Sequence, residues 1–182
     1  MVLSHDTARD IVAAAALVNT ASRGEEMLTD LGALEVFLDK HGFSGRRDHT
    51  AAELRQVRAL RPKLRAAWQA ADIDAVVALA NGLLRDAHAR PWLIDHDGWG
   101  WHLHVTALDA PLVDRLAAEA GMALADMIRS GELDRLRICA AADCDAVLVD
   151  LTRNRSRIYC DTGNCGNRQH VAAYRARQRG SE

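Results

Sequence analysis

The strongest constraint in this 182-residue chain is its cysteine placement. Cys139, Cys144, Cys160 and Cys165 fall within 27 residues, and no other cysteine occurs. The spacing is C-x4-C-x15-C-x4-C. Each close pair can form one turn, and the loop between them can bring the pairs together. That arrangement suits a tetrahedral site, and Zn²⁺ held by four thiolates is closed and structural. The first residues, "MVLSHDTARD", place Asp6 where a secretion signal would carry basic residues, so a cytoplasmic location is expected and disulfides are disfavoured. A metal-free thiol set and an iron–sulfur cluster are the alternatives to zinc. Zinc also explains how a segment with few large apolar residues could fold, because metal binding supplies folding free energy.

Four thiolates around one divalent cation leave excess negative charge. Gly163 and Gly166 permit turns that aim backbone N–H groups at sulfur. A helix beginning near Gly166 would offer its positive end to Cys165, with Arg157 and Arg168 close in sequence. The surroundings are basic. From residue 151 onward seven arginines face only Asp161 and Glu182, a local net of +5. The whole chain carries −2, so the first 150 residues carry −7. An acidic body with a basic end points to a polyanion partner. If "TRNRSR" is extended, Arg153, Arg155 and Arg157 share one face. Arg168, Arg175 and Arg179 share a helical face, with Val171 and Tyr174 beside them as anchors and Arg177 opposite. Together these faces could track the phosphates of DNA.

The rest of the chain has helical periodicity. Asp6 can cap a first helix reaching about Asn19, and a second runs roughly over 29–41. "TAAE" at 50–53 is a capping box. It opens a helix with Leu54, Val57, Leu64 and Trp68 on one stripe, with a kink or break expected near Arg61 because of Pro62. A fourth helix covers 72–88, with Val76, Leu79 and Leu83 inward. The period then changes to two over 92–106, a hairpin around the turn pair Asp97-Gly98. A long helix follows over 109–131, capped by Asp109, with Pro111 in its first turn and Gly131 at its end. No run of apolar residues approaches a membrane span, the longest candidate being 11–18, so no membrane association is expected. The expected architecture is mainly α: a helical domain over 1–132 with one small β-hairpin, then a four-cysteine zinc finger of short strands and a helix over 133–182.

Polar residues on otherwise apolar faces mark a candidate effector site. Asn19 lies with Ile11, Ala15 and Val18, and Arg61 lies within the third-helix stripe. A buried arginine needs an anionic partner, either a carboxylate of the same chain or a ligand. His102 and His104 share one face of the hairpin. Convergence of Asn19, Arg61, His102 and His104 would form a pocket for a small anionic effector. No nucleophile elbow, phosphate loop or HExxH occurs, so no enzymatic activity is expected.

The "CGNR" at Cys165–Arg168, with "RIYC" and "CAAADCDAVLVD" before it, resembles the CGNR zinc-finger family. The N-terminal part, including "LVNTA" at 17–21 and "WHLHVT" at 101–106, resembles the helical ABATE domain that accompanies that finger. Such proteins are regarded as stress-linked bacterial transcription regulators. The resemblance implies that Cys139, Cys144, Cys160 and Cys165 are zinc ligands and that the finger binds DNA. A protein- or RNA-binding zinc module is the alternative. One finger with few base-reading candidates should bind weakly, so a homodimer is expected. Leu112, Leu116, Leu124, Met127 and Ile128 of the 109–131 helix offer one dimer surface, unless they are buried within their own domain.

Overall fold

The computed structural model describes residues 3–95 and 100–179, without the side chains of His102, Ala176 and Arg179. The Asp97-Gly98 turn pair lies outside the described residues. The chain forms α1 (His5–Asn19), α2 (Leu31–Lys40), α3 (Ala51–Gln69), α4 (Ile73–Asp86), β1 (Trp92–Asp95) and β2 (Trp101–His104). These are followed by α5 (Leu112–Ser130), a 3-10 turn (Leu133–Arg135), β3 (Leu136–Ile138), β4 (Val147–Val149) and α6 (Cys165–Arg179). The fold is mostly helical, with two antiparallel hairpins, β1–β2 and β3–β4. No helix among the described residues is long and apolar enough to cross a membrane.

Short polar side chains start four helices by accepting otherwise unpaired N–H groups. Ser4 accepts from Thr7, Asp30 from Ala33, Thr50 from Glu53 and Asp72 from Ala75. The expected cap Asp6 instead lies in the first turn of α1, because Ser4 starts the helix two residues earlier. Glu53 reaches further back than a capping box requires, accepting from the N–H of Asp48 and His49. No side chain caps α5: Pro111, which lacks an N–H, occupies the cap position, and Asp109 lies outside. At the other end of α5, Gly131 is left-handed (φ 69°) and Glu132 N–H bonds the Met127 carbonyl, which terminates the helix.

Pro62 does not break α3. It removes the N–H that would bond the Arg58 carbonyl, and Arg61 Nε supplies a replacement donor at 3.2 Å. The predicted stripe of Leu54, Val57, Leu64 and Trp68 is buried. The core joins it to Ile11, Leu17 and Val18 of α1, Val76 and Leu83 of α4, and Leu116, Leu124 and Met127 of α5. The apolar residues of α5 are therefore mostly spent inside the fold. At the α4–α5 crossing, a Cβ on Gly121 would lie 3.1 Å from Leu84 and 3.3 Å from the Ala80 carbonyl. That close approach explains a glycine in the middle of a helix, where it costs about 1 kcal/mol relative to alanine.

The core does not stop at residue 132. Val147 and Val149 of β4 belong to it, and β4 packs on α1 while β3 packs on α3. Arg135, Glu132 and Arg155 form a mostly buried ionic group beside this hairpin, with Glu132 2% exposed.

A second acidic group lies between α1 and α5. Burial, with Asp10 nearby, pushes the Glu119 carboxyl up to about 8, and Arg9 and Arg115 only partly offset this. A carboxyl whose pKa rises on folding stabilises the fold below its unfolded value of about 4.5, and that contribution disappears as pH rises through about 8. Glu119→Gln should therefore be more stable than the parent at pH 8.5 and nearly equal at pH 4.5. Equal melting-temperature slopes for the two proteins across this range would refute the assignment. Gly121→Val should cost about 1–3 kcal/mol in denaturant unfolding through overpacking.

Candidate metal centre

β3 and β4 pair antiparallel, Leu136 with Val149 and Ile138 with Val147. The hairpin continues through Cys139 N–H to the Ala146 carbonyl (2.8 Å), and Cys144 N–H closes a turn on the Ala141 carbonyl (3.0 Å). The first cysteine pair is thus built into the hairpin end. Ala140 N–H bonds the Ile158 carbonyl at 2.9 Å, laying the returning chain alongside and delivering Cys160. Asn164, with φ 48°, then turns the chain so that Cys165 opens α6.

The four Sγ atoms lie within 4.8 Å of one another. Cys144 and Cys160 sulfurs are 3.6 Å apart, and those of Cys160 and Cys165 are 3.7 Å apart. A zinc–sulfur bond of about 2.3 Å in tetrahedral geometry requires edges of about 3.8 Å. The thiols are free rather than joined as disulfides. Cys139, Cys160 and Cys165 are buried, Cys144 partly so. The residues present therefore fit one structural zinc ion, with no protein group left over to open a catalytic position.

Hydrogen bonds to sulfur temper the charge. Cys160 N–H points at Cys139 Sγ (3.4 Å), and Arg168 Nη1 lies 3.7 Å from Cys165 Sγ. Without a cation, burial pushes the Cys160 thiol up to about 12. Burial also raises Cys165; for Cys139 burial is opposed by hydrogen bonds from Ala141 N–H, Cys160 N–H and the Cys160 and Cys165 thiols, which together lower it. A bound cation is what makes four thiolates tolerable together.

Gly163 is required by space rather than by backbone angle. A Cβ there would sit 2.9 Å from Cys165 Sγ and 3.0 Å from Arg23 Nη1. Gly166 lies within α6 and a Cβ there would meet only ordinary contacts at 3.7 Å, so the second expected turn glycine has no such role.

The seam with the helical body is polar and specific. Asn19 uses its whole carboxamide on one residue: Nδ2 donates to the Val147 carbonyl (2.7 Å) and Oδ1 accepts from Val147 N–H (2.8 Å). Trp68 Nε1 donates to the Leu148 carbonyl at 2.9 Å. Asp145, next to Cys144, accepts from Arg23 N–H (2.8 Å), and its carbonyl accepts from Arg65 (2.7 Å). Sequence reading missed Arg23, Arg65 and Asp145, since nothing local links residues 80 and more apart. Asn19 alone was visible, as a polar residue on an apolar face.

The other expected polar residues fall as follows. Arg61 grips Glu26 with two bonds of 2.7 and 2.6 Å and also donates to Thr20 (3.0 Å), which makes the same-chain carboxylate its partner. The arginine holds Glu26 below the usual carboxylate range. His104 stacks obliquely near Trp92, with ring centres 6.1 Å apart. The His102 side chain lies outside the described set.

The arginines are placed differently from the extended-face expectation. Residues 150–164 contain no strand. Asp150, fully buried, accepts from Thr152 N–H (2.9 Å) and Arg157 N–H (2.8 Å), folding the segment into a tight loop. Arg155 is left-handed (φ 52°) and turns back to Glu132 (2.9 Å) and Asp134. Arg157 pairs with Asp161, and Arg168 with Asp143. Arg153 and Arg175 are exposed and make no ion pair among the described residues. The Arg179 side chain lies outside the described set. Val171 and Tyr174 do not anchor α6, being 40% and 57% exposed.

Chelation of the purified chain should remove about one zinc and shift Trp68 emission, because the Leu148 carbonyl that Trp68 bonds belongs to the metal hairpin. An unchanged emission spectrum and melting temperature after complete zinc removal would contradict this. Gly163→Ala should weaken zinc binding by about tenfold in a competition titration, as does loss of a supporting contact at other metal sites.

Comparison with protein families places residues 135–178 in the CGNR zinc finger. Residues 12–131 match the ABATE model, described as "Putative stress-induced transcription regulator". Neither description names an enzyme. A comparison with curated proteins finds no match. With its matched helical body and its four-cysteine centre in that order, the chain belongs to the ABATE family and carries a CGNR zinc finger at its C-terminal end.

Proposed function

We propose that the chain is a zinc-dependent DNA-binding transcription regulator whose metal centre aims α6 at the duplex. The observation that carries this reading is the state of α6. Its first turn is fixed by Cys165, while residues 170–175 are exposed and α6 packs extensively on no other element among the described residues. Fifteen helical residues span about 22 Å, and a helix fits the major groove, about 12 Å wide. Arg175 lies two turns beyond Arg168 on the same face.

The division of labour follows from the ion pairs. Arg153 and Arg175 supply uncommitted charge for phosphates. Arg155, Arg157 and Arg168, held by carboxylates, orient the loop and the helix start, and each could exchange its partner for a phosphate on binding. In this reading residues 133–182 bind DNA and residues 1–132 carry sensing and dimerisation. Two copies on one site would offset the weakness of a single finger. Exposed Val171 and Tyr174 favour a protein partner as the second reading.

Anisotropy titrations of a mixed-sequence duplex across a salt series separate the two. Arg153→Ala and Arg175→Ala should each flatten the log K against log salt slope by about one unit. Arg155→Ala should lower thermal stability instead, since it leaves buried Glu132 with one partner fewer. Affinity indifferent to salt and to both exposed arginines, with Tyr174→Ala abolishing capture of a protein partner, would replace DNA by protein.

A further inference from the structure

A groove of about 570 Å³ runs between α1, α2 and the second zinc turn, within the range of about 300–1,000 Å³ usual for small-molecule sites. None of the contacts described above fills it. Its floor includes buried Leu28 and Phe37. Met27 and Val36, 54% and 69% exposed, add apolar surface to its lining.

Lys40, one of only two lysines in a chain that otherwise uses arginine, lines the groove. It makes no ion pair among the described residues; the neighbouring Asp39, which does not line the groove, shares Arg47 with Glu35. His41, next to it, stacks against Phe37 with ring centres 4.6 Å apart. The lining also holds Asp161, which pairs with Arg157 at the surface. The groove thus offers an apolar trough with one unpaired cation, Lys40, in its lining.

We propose that this groove binds a small amphipathic monocarboxylate. Its apolar part lies on Leu28 and Phe37 between Met27 and Val36, and its carboxylate meets the Lys40 ammonium. One unpaired cation fits a monoanion, and a flexible methionine lip can adapt to aliphatic or aromatic tails. The far wall, Asp161 and Thr162, directly follows the zinc ligand Cys160. A bound molecule therefore touches the zinc turn, which gives the helical body a physical route to α6. The site is distinct from a convergence of Arg61 and the hairpin histidines.

The test uses the zinc-loaded full chain with decanoate, 2-naphthoate and 1-decanol as probes in calorimetric titrations. Both carboxylates should bind saturably at one site per chain, with Kd on the order of 10–100 μM. The ratio of their affinities tells an aliphatic from an aromatic preference. Lys40→Met should weaken both carboxylates about tenfold and leave 1-decanol unchanged, and Val36→Arg should abolish binding of all three. Both positions are exposed, so zinc content and helicity should match the parent. Amide shifts in the parent protein at Met27, Val36 and Asp161 on adding decanoate provide a reading independent of either variant. No saturable binding, shifts confined elsewhere, or equal carboxylate affinity in Lys40→Met would overturn the proposal. So would a dimer that Val36→Arg dissociates, since a second copy would then be the occupant.

Discussion

The two hydrogen bonds between the Asn19 carboxamide and the Val147 backbone hold together what the sequence presents as separate parts. A side-chain amide has the same donor and acceptor as a peptide unit. Asn19 can therefore satisfy both polar groups of a strand residue that has been carried into an apolar core. Without it, Val147 could not be buried without leaving backbone groups unpaired, at a cost of about 1–3 kcal/mol each. With it, β4 becomes part of the helical core, β3 follows by pairing, and the first cysteine pair is fixed in space. The metal then fastens the returning chain to that frame, and α6 takes its direction from Cys165. Order passes from a helix near the N-terminus to a helix at the far end through one carboxamide, one hairpin and one ion.

The parts legible in the sequence share a property: each depends on spacing over a few residues. The four cysteines, the stripe of Leu54, Val57, Leu64 and Trp68, and the stop at Gly131 all follow from helical or turn geometry alone. The misread parts involve competition. Ser4 and Asp6 could each cap α1, and only the position of the first turn decides. Pro62 predicts disruption, yet the Arg61 side chain covers the exposed carbonyl. The alternation of Arg153, Arg155 and Arg157 looks like a strand until the buried Asp150 carboxylate gathers two N–H groups and coils the segment. The seam through Arg23, Arg65 and Asp145 was illegible because it joins residues far apart, with no periodic signature.

Charge illustrates the same limit. A local net of +5 describes composition, whereas the field a partner meets depends on pairing. Asp134, Asp143, Asp161 and Glu132 together engage Arg155, Arg157 and Arg168. Three of the seven arginines are thus already paired with carboxylates, and the uncommitted charge is smaller than the count implies. Lys40 is the converse: a single unpaired charge in an unremarkable helix lines an otherwise apolar groove.

The burial of Val147 and Val149 in the helical core bears on how such a protein can change over evolutionary time. A zinc finger is often treated as a cassette that recombination can move from one gene to another. Here the cassette's inner face is shaped to α1 and α3, and its polar edge to Asn19, Trp68 and Arg65. A duplicated or transplanted copy would arrive with two bare valines and an unmatched strand edge. The two halves are thus bound to a shared inheritance: a change on either side of the seam must be answered on the other, and they should diversify as a pair.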